Sequence, residues 1–366
     1  MSMEFVCSVC QKRESVTTRK PKCDCGGLWK LDFTPPKFDL EKVDKQEWNL
    51  FRYRAFMAVE GDTWRDISLG EGMSPIVRLD EDVLLKMDYF MPTLSFKDRG
   101  AAVLVAHAKA IGVDKVVQDS SGNAGNAVAA YCAKASIGCE IFVPEGTSPK
   151  KIDMIRAHGA TCTVVPGSRD HCADVCRAKV TEEGVYYANH VYNPFFYEGT
   201  KTYIYEVYEQ LRRIPKNLVI PVGNGTLFLG AMKALEELEA SGCIEAFPQI
   251  IALQSEKCDP LLQAAEQGLD KPAQVMPTPT LAEGIAIGQP MRGKEILAYA
   301  KKHGVRFVHA PEDKIMEARA TLAKKGIYIE HTTAANYAAY LAYTEQYGPT
   351  PDTLITMCGA GLKSDH

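Results

Sequence analysis

From about residue 83 the chain falls into a rhythm: a short apolar run, a turn rich in glycine or polar residues, then a stretch of helical character. The runs are VLLKM (83–87), KVVQ (115–118), EIFVP (140–144), TCTVVPG (161–167), NLVIPV (217–222), IIALQ (250–254), VRFVHA (305–310) and TLITMCG (353–359). Each has the length and the aliphatic or β-branched content of a buried strand. Between them lie segments such as AVAAYCAKA (127–135) and one opened by Ser148-Pro149, where proline suits the first position of a helix. Strands alternating with helices predict parallel βαβ units, hence an α/β fold with sheets covered by helices on both faces. At 366 residues the chain exceeds one simple core and predicts two or more domains.

The bulk properties narrow the function. Hydrophobic residues make up 46% and charged residues 24%, ordinary for a water-soluble globular protein. A net charge of −4 gives no global basic field for nucleic acid or anionic lipid. No apolar run reaches the roughly 18 residues of a membrane helix. The first residues, MSMEFVCSVCQKRE, lack the apolar core of a signal peptide, so the expected location is cytoplasmic, with no membrane or nucleic-acid partner. Eight of the twelve cysteines are scattered through α/β sequence, which predicts reduced thiols. The other four lie before the Pro35-Pro36 linker. That leader also holds Lys12, Arg13, Arg19, Lys20 and Lys22; so short a basic run reads as a solvated face rather than a nucleic-acid module.

Four loops carry candidate chemistry, each where a strand ends and ligands bind in open α/β sheets. In Pro92–Gly100, Ser95 and Asp98 have capping-box spacing. They place Lys97 in a first helical turn, where a cation is disfavoured and a neutral or covalently modified amine is not. Asp119–Asn126 (DSSGNAGN) permits left-handed backbone and exposes amides to a carboxylate or phosphate. Pro221–Thr226 (PVGNGT) offers two glycines, exposed amides and a hydroxyl to a phosphate. It matches neither the P-loop nor the GxGxxG pattern. Met357–Lys363 ends the last strand with Cys358, which by itself reads first as a buried small apolar thiol and second as a group pointing into a site.

Together these motifs resemble the fold-type II pyridoxal-phosphate (PLP) enzymes, which are tryptophan synthase β-like, and within them the threonine synthase family. The resemblance runs from about residue 70 to 363. SFKDRG matches the cofactor-lysine motif and implies that Lys97 bears PLP and is the catalytic residue. SSGNAGN resembles the loop that holds the substrate carboxylate, through Ser120, Ser121, Gly122, Asn123 and Ala124. Asn123 also takes the position beside the cofactor's 3-hydroxyl. VGNGT is similar to the phosphate cradle, Val222, Gly223, Asn224, Gly225 and Thr226. Cys358 falls where the family contacts the pyridine nitrogen. Asn193–Thr202 (NPFFYEGTKT) resembles NPxRxEGxKT, and Leu281–Gly288 resembles another loop near the substrate. Cys7, Cys10, Cys23 and Cys25 resemble the zinc-ribbon leader of several relatives, with CxC where CxxC is usual.

The resemblance implies a zinc-ribbon-like leader over 1–35, a large PLP-binding domain from 36–103 and 201–366, and a small mobile substrate domain over 104–200. It implies a homodimer that converts O-phosphohomoserine and water to threonine and phosphate. The family's arginine in NPxRxEG is Phe196 here, and the threonine that usually follows the loop asparagine is Ala124. Arg156, Lys150, Lys151 and Lys201 are the cations that remain to meet a phosphate. Serine/threonine ammonia-lyase, cysteate synthase-like chemistry and a PLP-retaining regulatory protein stay open as alternatives.

Overall fold

The computed structural model describes residues 3–363. They form two compact units, one built from residues up to 71 with 97–200, the other from 72–96 with the residues from 201 on.

The first unit opens with three short strands, β1 (Glu4–Cys7), β2 (Arg13–Ser15) and β3 (Trp29–Asp32), in an antiparallel sheet of order β2-β1-β3. Residues 33–39 are irregular, as the two prolines require. A single-turn helix, α1 (Trp64–Ile67), follows, with Phe51 stacked on Trp64 at 5.1 Å. In chain order, β4 (Ile76–Arg78) and β5 (Val83–Lys86) belong to the second unit, and α2 (Lys97–Ala110) returns to the first. There β6 (Lys115–Gln118), α3 (Asn123–Ala135), β7 (Gly138–Pro144), α4 (Pro149–Ala157), β8 (Thr161–Val165), α5 (Arg169–Glu183) and β9 (Tyr186–Tyr187) alternate. The four strands form a wholly parallel sheet of order β8-β7-β6-β9. Val117, Phe142 and Val165 of this sheet bury against Cys172, Cys176 and Val180 of α5, and Leu28 of the leader joins the same cluster.

The boundary at Thr200 falls inside α6 (Pro194–Leu211). The second unit then runs β10 (Asn217–Pro221), α7 (Thr226–Ala240), β11 (Gln249–Ser255), α8 (Pro260–Glu266), α9 (Gly293–His303), β12 (Arg306–Ala310), α10 (Ile315–Ala323), α11 (His331–Tyr347) and β13 (Thr353–Thr356). Its sheet has the order β12-β11-β10-β13-β5-β4, parallel except for the edge strand β4. Val219, Ile251, Leu253 and Ile355 of the sheet bury against Ala318 and Leu322 of α10 and Ala334 and Ala338 of α11.

Two local expectations need correction. Ser95 does not cap α2: its buried Oγ has no hydrogen-bond partner, and its backbone instead bridges to Gly359 while the Phe96 amide donates to the Cys358 carbonyl at 2.9 Å. Pairing with a strand end has replaced the capping box. And α3 begins at Asn123, not at Ala127, so most of the SSGNAGN motif is helix rather than loop.

Candidate active site

The second unit carries the anion cradle. Val222 continues the β10–β11 ladder, its amide donating to the Leu253 carbonyl at 2.9 Å. Gln254 Nε2 donates to the Val222 carbonyl at 3.2 Å, which fixes the exit of β10. Gly225 has φ +76, a left-handed conformation, and immediately precedes the 15-residue helix α7. A side chain there would run into Ile296. A Cβ on Gly223 would lie 2.9 Å from Ile285 Cα, so Leu281–Gly288 packs directly on this turn. The glycines leave bare backbone at the positive end of a long helix, with Thr226 as its first, buried residue. These residues fit a phosphate group.

Cys358 lies just beyond β13 in the same unit, 2% exposed. Asn336 Nδ2 donates to the Thr356 carbonyl at 2.7 Å and approaches Cys358 Sγ at 3.5 Å. Asn336 Oδ1 is buried without a partner. Lys363 Nζ donates to the Thr93 carbonyl at 2.9 Å, and Gly359 N to Thr333 Oγ1 at 2.9 Å, so the strand end is rigidly seated.

In the first unit Lys97 is the first residue of α2 and half-buried. Asn123 is the first of α3, after Gly122 at the cap. Gly125 is obligatory, because a Cβ would overlap the Ser120 carbonyl oxygen. The loops after the neighbouring strands β6 and β9 are pinned together: Asp119 Oδ1 accepts from Tyr187 OH at 2.8 Å and Asn189 Nδ2 at 2.7 Å. Asn189 Oδ1 in turn accepts from the Val191 amide at 2.8 Å. Ser120 is buried, Ser121 and Asn123 half-buried, Ala124 buried. Amides, hydroxyls and a carboxamide at one sheet edge suit an amino-acid carboxylate.

NPFFYEGTKT proves to be a helix start. Asn193 Oδ1 accepts from the Phe195 amide at 3.0 Å, and Pro194 follows as the first residue of α6. Phe196 is fully buried and rests on Gly100 of SFKDRG, where a Cβ would clash with its ring. Gly199 abuts the Arg99 carbonyl in the same way. Glu198 Oε2 accepts from the Ala58 amide at 2.8 Å. These motif positions hold helices together. Of the cations expected to meet a phosphate, Lys201 is fully buried and paired with Glu237 at 3.2 Å, which leaves it no phosphate to meet; Arg156 is exposed on α4, where Lys150 and Lys151 follow Pro149 in the first turn.

Sequence reasoning missed His190. It lies after β9, 8% exposed, with Nδ1 unpartnered. Burial, then the charges of Lys97 and Arg169, hold its imidazole well below the usual range, so it is neutral. A lone histidine at a strand's carboxyl end was the only signal.

The leader cysteines converge. The sulfurs of Cys7, Cys10, Cys23 and Cys25 lie within 4.8 Å of one another, with Cys7–Cys25 at 3.4 Å and Cys10–Cys23 at 3.6 Å. Burial raises the Cys7 thiol, but the Cys10 and Val9 amides and neighbouring thiols outweigh it and bring it to about 6. Gly26, at φ +89, and Gly27 turn the chain so that the CxC pair faces the CxxC pair; a Cβ on Gly27 would sit 2.5 Å from Cys7 Sγ. All twelve cysteines are free thiols. Four sulfur donors at this spacing fit a closed tetrahedral metal site.

No helix among the described residues is long and apolar enough to cross a membrane. Residues 67–359 match the family model described as pyridoxal-phosphate dependent enzyme. Threonine synthase of Methanocaldococcus jannaschii is 29% identical, with 93% of this chain and 87% of that protein covered. Threonine synthase of Mycobacterium leprae is 30% identical, over 83% and 85%. Among solved structures, the processed form of threonine deaminase isoform 2 from Solanum lycopersicum has a TM-score of 0.71 at 21% identity, covering 89% of this chain and 86% of its own. Maize serine racemase has a TM-score of 0.70 at 18% identity, covering 83% and 94%. At such identities these structures speak for the fold alone. With its phosphate-fitting cradle and a family match over most of its length, the chain belongs to the pyridoxal-phosphate-dependent enzymes, in the fold-type II, threonine synthase-like branch.

Proposed function

We propose that this enzyme eliminates and replaces a substituent on the side chain of a small amino acid, as threonine synthase does with O-phosphohomoserine and water. The observation that carries the reading is the likeness to threonine synthases over 93% of this chain, well beyond the region common to PLP enzymes at large. When bound, PLP supplies an electron sink for negative charge developing at Cα. Lys97 is the residue that holds it covalently and then, as a free amine, removes the Cα proton. The amides of Val222–Gly225 and the Thr226 hydroxyl would hold the cofactor phosphate, and Asn123 would meet its ring hydroxyl. Cys358 would be the residue facing the ring nitrogen, and a thiol there, unlike a carboxylate, would not hold the ring protonated, which would disfavour transamination. Ser120, Ser121, Gly122, Asn123 and Ala124 orient the substrate carboxylate. Residues 104–200 would serve as a small mobile substrate domain, and 36–103 with 201–366 as the PLP-binding domain.

Cys7, Cys10, Cys23 and Cys25 hold a structural zinc ion in a ribbon-like leader. The enzyme works in the cytoplasm as a homodimer. A specific observation favours the ammonia-lyase reading as the second choice: Phe196 is buried where the family presents an arginine, and Lys201 is already paired. The deciding experiment assays holoenzyme on O-phosphohomoserine, serine and threonine for phosphate, threonine and keto acid. Phosphate with threonine supports the first reading. Keto acid from serine or threonine, with O-phosphohomoserine inert, replaces it with the second.

A further inference from the structure

The leader is built into the first unit rather than hung from it. Phe5 of β1 meets Phe195 edge-on at 5.9 Å and stacks on Trp29 of β3 at 6.0 Å. Phe195, in the first turn of α6, also stacks on His107 of α2 at 3.7 Å. His107 Nε2–H donates to the carbonyl of Val16 in the leader at 3.0 Å. Burial brings this imidazole down to about 4, so it is neutral and remains a fixed donor at physiological pH.

Two consecutive aromatic residues therefore face two partners. Phe195 touches the leader and the far end of α2, while Phe196 rests on Gly100, one turn from Lys97. The cysteine site lies at the other end of the same path. Cys7 is two residues from Phe5 on β1, and Trp29 pairs with Cys7 across the sheet. Each step is a ring contact, a strand pairing or a part-buried hydrogen bond, and packed contacts of this kind do not deform gradually.

We propose that His107 and Phe195 are positioning residues that tie the metal-binding leader to the helix bearing Lys97, so that metal occupancy of the cysteine site sets the orientation of that lysine. This rests on the readings of Lys97 as the cofactor lysine and of the four cysteines as a zinc site. A small misplacement of a reacting group costs roughly ten- to a hundred-fold in rate. A leader that only added stability would leave the site untouched until the protein unfolded.

The test uses purified holoenzyme, with metal content measured and thermal unfolding recorded so that every comparison is made on folded protein. In the wild type, chelation should shift the cofactor absorption band and lower kcat about ten-fold or more, with KM little changed. His107→Ala should show the altered band with metal still bound, and chelation should then lower kcat less than about two-fold further. His107→Gln, which keeps an N–H donor, should recover much of the wild-type band; Phe5→Ala, which alters only the leader side, should shift it. Three results overturn the proposal: chelation that lowers the unfolding temperature but leaves band and kcat unchanged; effects of chelation and His107→Ala that multiply independently; or protein that neither carries nor takes up zinc. Borohydride fixation in the wild type separates these from failure of the underlying reading, since a label on another lysine overturns the role of Lys97 itself.

Discussion

Two pairs of motif glycines look alike in the sequence and do different work. Gly223 and Gly225 open the turn before α7, and Gly100 and Gly199 lie where α2 meets α6. At all four a Cβ would collide with a neighbour. The first pair leaves bare backbone at a helix start, the kind of place that suits an anion. The second lets a ring and a carbonyl oxygen approach a helix backbone. A glycine in a family motif can thus mark either a ligand's place or another helix's place, and only the atoms around it say which.

The first turn of α2 sets the contrast most sharply, and it gives the largest expected effect. Lys97→Ala should fold with wild-type stability and lose turnover by at least about a thousand-fold, because the covalent and base roles proposed for it would vanish together. Gly100→Leu, one turn on, should instead fail to fold stably. Turnover in Lys97→Ala within ten-fold of wild type would end the assignment. Next, Phe196→Arg should not restore phosphate recognition. It would bury a cation against Gly100 and cost about 3 kcal/mol or more, read as a lower denaturant midpoint. A stable variant with improved O-phosphohomoserine use would mean that the α2–α6 contact is looser than described.

The glycine pairs themselves can be set against each other. Gly199→Ala should destabilise apoprotein by roughly 3 kcal/mol, since the Arg99 carbonyl cannot move aside, while cofactor affinity changes little. Gly225→Val should cost apoprotein about 1–3 kcal/mol for the left-handed backbone, with PLP affinity falling at least ten-fold as well. Equal PLP affinity in both variants would erase the distinction.

A pH series isolates His107. Its folded pKa of about 4 lies below the ordinary 6.5, so between those values the unfolded chain binds the extra proton. Stability should rise with pH across that window and be lost as pH falls through it, by at most about 3 kcal/mol. In His107→Gln this part of the slope should disappear; an unchanged slope would place the ring outside the protected core. The smallest effect belongs to Cys358→Ser, which keeps a small neutral polar atom and should retain activity within several-fold. A shift to transamination there would contradict the role given to a neutral partner.

The parallel architecture was legible because Val219, Ile251 and Ile355 lie in apolar runs that only a sheet covered on both faces can bury. The start of α3 was not. Asn123-Ala124-Gly125-Asn126 has weak helix propensity, and the helix begins there because tertiary packing requires Gly125 against Ser120. The strands of the leader were invisible for a related reason: four residues of EFVC carry little alternation, and their partners lie up to 28 positions away. Ser95 misled because capping-box spacing is local, whereas its backbone is paired with Gly359. Lys201 read as available since nothing in the sequence places Glu237 beside it. The candidate loops were found because glycine, asparagine and serine after a strand have few structural uses; His190 was not, because one histidine has many.

The order of strands in the second unit has a consequence for how the protein is made. β13, the last strand among the described residues, lies between β10 and β5, and β5 belongs to a segment separated from it by more than 250 residues. On the ribosome the middle of this sheet stays vacant until residues 353–356 have emerged, with two apolar edges waiting for the same strand. Among the described residues the first unit ends at Thr200, so it can close earlier. Folding of the second unit is therefore slow, limited by a long loop closure, and in that interval the nascent chain is most prone to aggregate.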